Sequence, residues 1–234
     1  ASAHVIVTSA MTAQTLEQDF GVGRDRITVA EPGTEPAARS IGSGGAAHIL
    51  AVGSVVPRKG YDLLVEALAP LAPLPWTCTI AGSLERAPPH AAQVREAIIR
   101  HGLEDRIILT GECSDAELDR LYAQADIFVS ASHYEGYGMV LSEALARGLP
   151  IITTTGGAAA QTAPDAAAIK VLPGDAGAIS DALALILLDE SLRYRLASAA
   201  WDAAQKLPRW TDTATLIAGA IRKVAQSLNP ETKT

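Results

Sequence analysis

Two glutamates, Glu135 and Glu143, stand in a glycine-spaced stretch, SASHYEGYGMVLSE, that directly follows a short apolar run. Gly136 and Gly138 lack a Cβ, so backbone can come close to a ligand there. A helix opening near Gly138 turns its unpaired N–H groups and the positive end of its dipole towards the same space, which suits a phosphate. Carboxylates do not bind phosphates, so Glu135 and Glu143 must serve another part of the ligand, and sugar hydroxyls fit them. Phosphate together with hydroxyls describes a sugar nucleotide. A second group, Arg58 and Lys59 in GSVVPRKGYD, sets two cations between Gly53 and Gly60. A guanidinium fork beside an ammonium point charge can clamp a diphosphate, each charge-assisted hydrogen bond contributing about 1.5–3 kcal/mol. An arbitrary Arg-Lys pair is usually a solvated loop feature, and a single helical glutamate is usually just exposed, so position has to decide between the readings. His133 and Tyr134 neighbour Glu135, but no Ser or Cys nucleophile with a base stands at readable spacing, and His133 is assigned no role.

The elements that must hold these groups read as alternating strands and helices. From residue 48 onward, apolar runs at Ile49–Val52, Cys78–Ala81, Ile107–Leu109, Ile127–Val129, Ile151–Thr153 and Ile169–Leu172 are separated by helical patterns. Continuous apolar strands between helices predict an α/β fold with a doubly wound parallel sheet, covered on both faces through right-handed crossovers. Ser114 with Glu117 forms a capping box ahead of the amphipathic run Leu118, Leu121, Tyr122, Ala125, and Asp181–Leu188 continues a helix opened after Pro173 and Gly174. Ligands of such sheets sit beyond the carboxyl ends of the strands. The loops 53–60, 82–89, 111–114, 130–138 and 154–157 therefore matter most, and they contain the basic pair, Glu135 and the glycines. Glu143 lies about a turn and a half into the helix, off the apolar stripe of Val140, Leu141, Ala144 and Leu145, and can face the same crevice. Gly156 and Gly157 open a further helix, as a second backbone approach to ligand or as turn punctuation.

Composition bounds the function classes. The chain has 234 residues, 48% of them hydrophobic, enough for a substantial core. Its apolar runs are too short to span a bilayer, and no basic head precedes an apolar stretch at the start, so a cytoplasmic location is expected. A net charge of -7 and the lack of any long Lys/Arg run argue against nucleic acid or an anionic membrane surface as a partner. Cys78 and Cys113 form neither a disulfide framework nor a metal set, and no metal or other cofactor is expected.

The two ends read differently from the middle. His4–Ser9 reads as a strand, Thr12–Phe20 as a helix ended by Gly21, and Ile27–Ala30 as a strand, followed by the turn-rich Pro32–Gly45 in which Ser40–Gly45 is a linker or mobile loop. This opening is either an edge extension of the main domain or, as the favoured reading, the last unit of a preceding domain. The expected organisation is thus residues 1–31 as that remnant, 32–47 as linker, 48–206 as the nucleotide-sugar domain, and 207–234 as a helix packing back across it. Trp201 and Trp210, flanking a break at Pro208, are expected packing anchors.

Three segments, GSVVPRKGYDLL, ILTGECSDAELDRLYAQADIFVSAS and EGYGMVLSEALARGLPIITTTGG, together resemble the group-one (family four) retaining glycosyltransferases of the GT-B type, over nearly the whole chain. The resemblance implies a Rossmann-like C-terminal half that holds a nucleoside-diphosphate sugar without metal. Glu135 and Glu143 fall on the ends of that family's E-x7-E motif, the first on the sugar hydroxyls and the second on the ribose. Arg58 and Lys59 fall on its diphosphate-binding pair, and the loop of Gly111, Glu112 and Cys113 on its nucleobase side. Gly53, Gly136, Tyr137, Gly138, Met139 and Val140 complete the implied donor contacts, with Arg58, Lys59 and Glu135 at the reacting centre. Where the family usually places a Glu soon after the paired glycines, this chain has Ala158, Ala159, Ala160 and Gln161, which leaves the sugar open. The resemblance further implies a missing N-terminal acceptor domain, an unknown acceptor, and a chain that binds nucleotide but transfers little alone. Two alternatives remain at this point: another GT-B nucleotide-sugar enzyme, such as an epimerase or phosphorylase, and a non-catalytic nucleotide-binding module.

Overall fold

The structure, a computed structural model, describes residues 3–228. Residues 1–2 and 229–234, the extremities of the expected segments 1–31 and 207–234, lie outside the described residues. The chain divides into two compact units, one comprising residues 36–206 and the other residues up to 35 together with those from 207 onward.

The larger unit is built on β3 (Ala47–Val52), β4 (Trp76–Ala81), β5 (Ile107–Gly111), β6 (Ile127–Ser130), β7 (Ile151–Thr154) and β8 (Ala168–Val171), all six where apolar runs stand in the sequence. They form one parallel sheet in the order β5-β4-β3-β6-β7-β8, with Ile49 of β3 opposite Ile127 of β6. The inner strands β6 and β7 are buried at every position, whereas the edge strand β5 leaves Ile108 exposed, as expected where only one neighbour covers a strand. Helices α2 (Tyr61–Leu68), α3 (Pro88–Arg100), α4 (Asp115–Gln124), α5 (Met139–Ala146), the single-turn α6 (Ala159–Thr162), α7 (Ala176–Leu188) and α8 (Glu190–Ala204) make the crossovers and the outer layer. The capping box opens α4 as read: the Ser114 side chain accepts from the Glu117 N–H while the Glu117 carboxylate accepts from the Ser114 N–H. The core joins Ile49, Leu64, Ile80, Val94, Ile127 and Leu183 from sheet and helices. Each fully buried side chain of this kind contributes about 1.5–3 kcal/mol.

In the smaller unit, β1 (Val5–Val7) pairs in parallel with β2 (Ile27–Val29), and Val7 and Ile27 pack with Ala13 of α1 (Ala10–Gln18). The Ser9 hydroxyl caps α1 by accepting from the Thr12 N–H at 3.1 Å. The closing helix α9 (Trp210–Leu228) belongs to this unit. The Thr213 hydroxyl donates to the Glu31 carbonyl at 2.6 Å, Arg209 to the Thr34 carbonyl at 2.9 Å, and Lys223 to the Asp25 carbonyl at 2.8 Å.

Three expectations change. The last helix, expected over the 48–206 domain, groups with the smaller unit, because Thr213 and Lys223 on it and Arg209 just before it donate to the backbone carbonyls at 31, 25 and 34 on either side of β2. The segment Ser40–Gly45, expected to be a linker or mobile loop, is fastened to the larger unit. The Ser40 hydroxyl lies 2.9 Å from the Ala123 carbonyl and 2.7 Å from that of Ala125, and the Asp126 carboxylate accepts from the N–H groups of Ser43 and His48. Of the two tryptophans, Trp201 is half-buried under the Arg39 guanidinium at 6.0 Å, but Trp210 is 46% exposed and anchors little through its ring.

Candidate functional site

Strand order builds the site. The chain proceeds outward from β3 through β4 to β5, then crosses back to place β6 on the other side of β3. At such a switch point the loops beyond the two strands part in opposite directions and leave a crevice at their carboxyl ends. Arg58 and Lys59 come from the loop after β3, and Glu135 from the loop after β6. The basic pair sits on a single turn ended by Gly60, whose left-handed φ of 63° admits the turn and whose missing Cβ leaves room for the Ala131 carbonyl, 2.4 Å from where that carbon would stand. The Arg58 carbonyl accepts the His133 N–H at 2.8 Å, so backbone as well as side chains lock the two loops together.

Glu135 is the centre of the cluster. Although 6% exposed, it is fully partnered: Lys59 Nζ donates to Oε1 at 2.6 Å, the Ser132 hydroxyl donates to the same oxygen at 2.6 Å, and Arg58 Nη1 reaches Oε2 at 3.2 Å. Arg58 also donates to the Tyr134 carbonyl, and Ser130 stands behind Ser132 at 3.3 Å. Burial opposes charge on Glu135, but the Lys59 ammonium with its hydrogen bond, the Ser132 hydroxyl and the Arg58 guanidinium outweigh it and hold the carboxyl below its ordinary value. The Glu135 backbone is pinned as well, its N–H donating to the Gly156 carbonyl at 3.1 Å and its carbonyl accepting from the Ala158 N–H at 2.8 Å. The paired glycines therefore meet the Glu135 backbone in this structure, and the helix after them is the short α6.

A lowered folded-state value has a consequence for stability. The contribution of this cluster is complete above the ordinary carboxyl value of 4.5 and is lost as the pH falls through the lowered one. The melting-temperature gap between the native chain and Glu135→Gln is expected to be widest near neutrality and to close in acid. A gap that stays constant down to about pH 3 would contradict the pairing.

Glu143 occupies the fifth position of α5, which starts at Gly138 with φ 93° and carries no side-chain cap. It is half-buried, and its Oε2 accepts from the Tyr122 hydroxyl at 2.8 Å. Burial raises its carboxyl above the ordinary value, the Tyr122 hydrogen bond and the Arg147 charge offset part of the rise, Asp119 adds to it, and Lys59 lowers it slightly. Lys59 thus acts on both carboxylates, and the two glutamates share one field. On the way into α5, Gly136 is open, the buried Tyr137 is fixed through its carbonyl by the Thr162 hydroxyl, Met139 is 45% exposed, and the half-buried Val140 follows it.

The remaining residues lie along the same end of the sheet. Gly53 donates its N–H to the Ala81 carbonyl at 2.8 Å, and Gly82 does so to the Gly111 carbonyl at 2.9 Å, so the first residues beyond β3 and β4 are laced to the last residues of β4 and β5. The Lys59 stem runs across Gly53, where a Cβ would come within 2.9 Å of Lys59 Cε. Glu112 is exposed, and Cys113 is half-buried with Sγ 3.2 Å from the Thr110 hydroxyl; both follow β5, which β4 and β3 separate from the β6 that leads to Glu135. Sequence reasoning missed the partners Ser132, Tyr122 and Arg147. Ser132 stands three residues before Glu135, a spacing that allows a hydroxyl to turn back onto a carboxylate. Tyr122 reads as one more apolar position of α4, and nothing in its own segment points to Glu143.

Among the described residues no helix is long and apolar enough to cross a membrane. The family described as glycosyl transferases group 1 matches residues 38–202. Mannosylfructose-phosphate synthase of Agrobacterium fabrum is 29% identical over 171 residues, covering 65% of this chain and 38% of that protein. The lipopolysaccharide core biosynthesis mannosyltransferase LpsB of Rhizobium meliloti is 30% identical over 175 residues, covering 71% of this chain and 46% of that protein. The chain thus spans less than half the length of either relative. The solved structure of sucrose-phosphate synthase from Thermosynechococcus elongatus superposes with a TM-score of 0.86 at 24% identity, covering 97% of this chain and 59% of that one. Anabaena HepE, solved in complex with UDP and glucose, superposes with a TM-score of 0.85 at 21% identity, covering 95% and 64%. These likenesses show the Rossmann-like fold that the GT-B pattern implies. Because the family match runs through every strand of the six-stranded sheet, this chain belongs to the group 1 glycosyl transferases.

Proposed function

We propose that this chain is the donor-binding part of a retaining glycosyltransferase that takes its sugar from a nucleoside-diphosphate sugar and uses no metal. The observation that carries the reading is the convergence of Arg58 and Lys59 on buried Glu135 at the switch point, beside the uncapped start of α5 and within the same field as Glu143. In this reading Arg58, Lys59 and the N–H groups opening α5 hold the diphosphate, Glu135 accepts from sugar hydroxyls, and Glu143 accepts from the ribose. Lys59, 12% exposed, is the fixed cation, while Arg58, 49% exposed, is the arm that exchanges Glu135 for a phosphate oxygen. As the glycosidic bond breaks through an oxocarbenium-like transition state, both cations offset the charge growing on the departing phosphate. HepE, whose structure contains UDP and glucose, supports a uridine or other nucleoside diphosphate as ligand class. The acceptor site is assigned to a portion of the enzyme beyond this chain, in keeping with the greater length of its relatives.

Calorimetry with UDP, GDP and ADP, without added metal, tests the proposal. One of the three is expected to bind in a one-to-one ratio; heats indistinguishable from dilution for all three would end it.

A further inference from the structure

We infer that Tyr122 is a positioning residue that aims the Glu143 carboxylate at the ribose; this rests on the ribose reading of Glu143. The Tyr122 side chain is 1% exposed and is held on two sides. Its ring stacks on Phe128 with centroids 5.9 Å apart and planes 17° from parallel, and the Arg147 guanidinium lies over it at 4.4 Å. Arg147 is in turn ion-paired with Asp119, one turn before Tyr122 on α4. The phenol hydroxyl therefore has one place to be, and it has one good acceptor there. Glu143 Oε2 lies 2.8 Å away, whereas the Val140 carbonyl, at 3.5 Å, is at the limit of a hydrogen bond. If this side chain served packing alone, phenylalanine would fill the space without burying a hydroxyl. Burial, together with the neighbouring Glu143, keeps the phenol protonated well beyond neutral pH, so it remains a donor.

The consequence is geometric. A carboxylate on a flexible stem samples several rotamers, and a hydrogen bond from a rigid ring selects one of them, leaving Oε1 to face the crevice in a single orientation. Helix α4 has a second link to the same ligand. Its first turn follows directly on the Gly111–Cys113 loop assigned to the nucleobase, and Tyr122 stands two turns further along. One rigid element thus sets both the base-side loop and the ribose acceptor, and the distance between them is built into the helix rather than left to loop closure.

The test is nucleotide affinity measured with the ribonucleotide and its 2′,3′-dideoxy counterpart, using whichever of UDP, GDP and ADP binds most tightly. Tyr122→Phe is expected to weaken the ribonucleotide about tenfold while leaving the dideoxynucleotide within about twofold, since losing one charge-assisted hydrogen bond matters only where the carboxylate meets a hydroxyl. In a Glu143→Gln background the same change is expected to do nothing further. The acid limb of nucleotide binding supplies a readout that a packing role would not move. With Asp119, Arg147 and Lys59 still facing Glu143, loss of the phenol donor shifts that limb upward in pH. If Tyr122→Phe does not fold, Arg147→Lys, which removes the flat cap but keeps the hydroxyl, is expected to reduce the ribose preference in the same direction. A native chain that binds none of the nucleotides overturns the ribose reading and this inference with it. Native binding with an unchanged ribose preference and pH limb in the variant overturns the positioning role alone.

Discussion

Lys59→Ala, in a protein that joins this chain to its acceptor-binding portion, is expected to lower kcat for sugar transfer by about 10²–10³-fold at saturating donor. The ammonium is nearly buried and 2.6 Å from Glu135, so it is held in place before any ligand arrives, and in the proposed reaction it needs no reorganisation as charge develops on the leaving phosphate. Such preorganised donors are typically worth about 2.7–4 kcal/mol in the barrier. The same substitution strands a buried carboxylate with a weaker counterion, and breaking a buried pair costs about 3–5 kcal/mol of folding stability. Arg58→Ala is expected to share the effect on rate but to leave stability within about 1 kcal/mol, since half of that side chain is in water. Initial rates with saturating donor, paired with urea unfolding of each variant, check both halves. Transfer within threefold of the native rate in Lys59→Ala would remove it from the leaving-group site.

For Glu143→Ala the expected result is a loss of nucleotide affinity of about ten- to a hundredfold with little change in melting temperature. In the proposed site the variant loses two charge-assisted hydrogen bonds to ribose hydroxyls, which sets the size of the affinity change. Stability changes little because of the sign of the carboxyl shift. Burial raises the Glu143 value, so keeping it ionised at neutral pH opposes folding, and its removal relieves that cost while the Tyr122 hydroxyl loses its acceptor. Methylenediphosphonate, which carries phosphates but no ribose, is expected to bind the variant as it binds the native chain, because the carboxylate makes no favourable contact with phosphate. Calorimetry with both ligands separates the outcomes. Equal loss of both would mean that Glu143 shapes the diphosphate pocket instead, and loss of neither would take it out of the site.

Much of the larger unit was readable from residue patterns. Each of the six apolar runs became a strand, because β-branched and aliphatic runs bounded by turns have few other ways to bury both faces. The Ser114–Glu117 box opened its helix where local backbone chemistry puts it. Patterns were less informative where the partner was remote. The glycines and serines at 40–45 read as a loose linker, yet Asp126 accepts from the Ser43 N–H, an interaction that spans 83 residues of chain, and from the nearby His48 N–H as well. Trp210 reads as an anchor by residue type, but its helix leaves the ring 46% exposed.

Residue types and their spacing already named the kinds of group available to a ligand: a basic dipeptide and two carboxylates on strand-end segments, with glycines where backbone must turn or come close. That Arg58, Lys59 and Glu135 meet is a property of the folded chain. Lys59 and Glu135 lie 76 residues apart in the chain and 2.6 Å apart in space because β6 pairs with β3 instead of with β5. The same arrangement sets Tyr122 beside Glu143, a contact between two helices that belong to different crossovers. The physical reason is that side-chain period and local capping are properties of short segments, whereas strand order is chosen by burial of the whole sheet under right-handed connections, and no single segment encodes it.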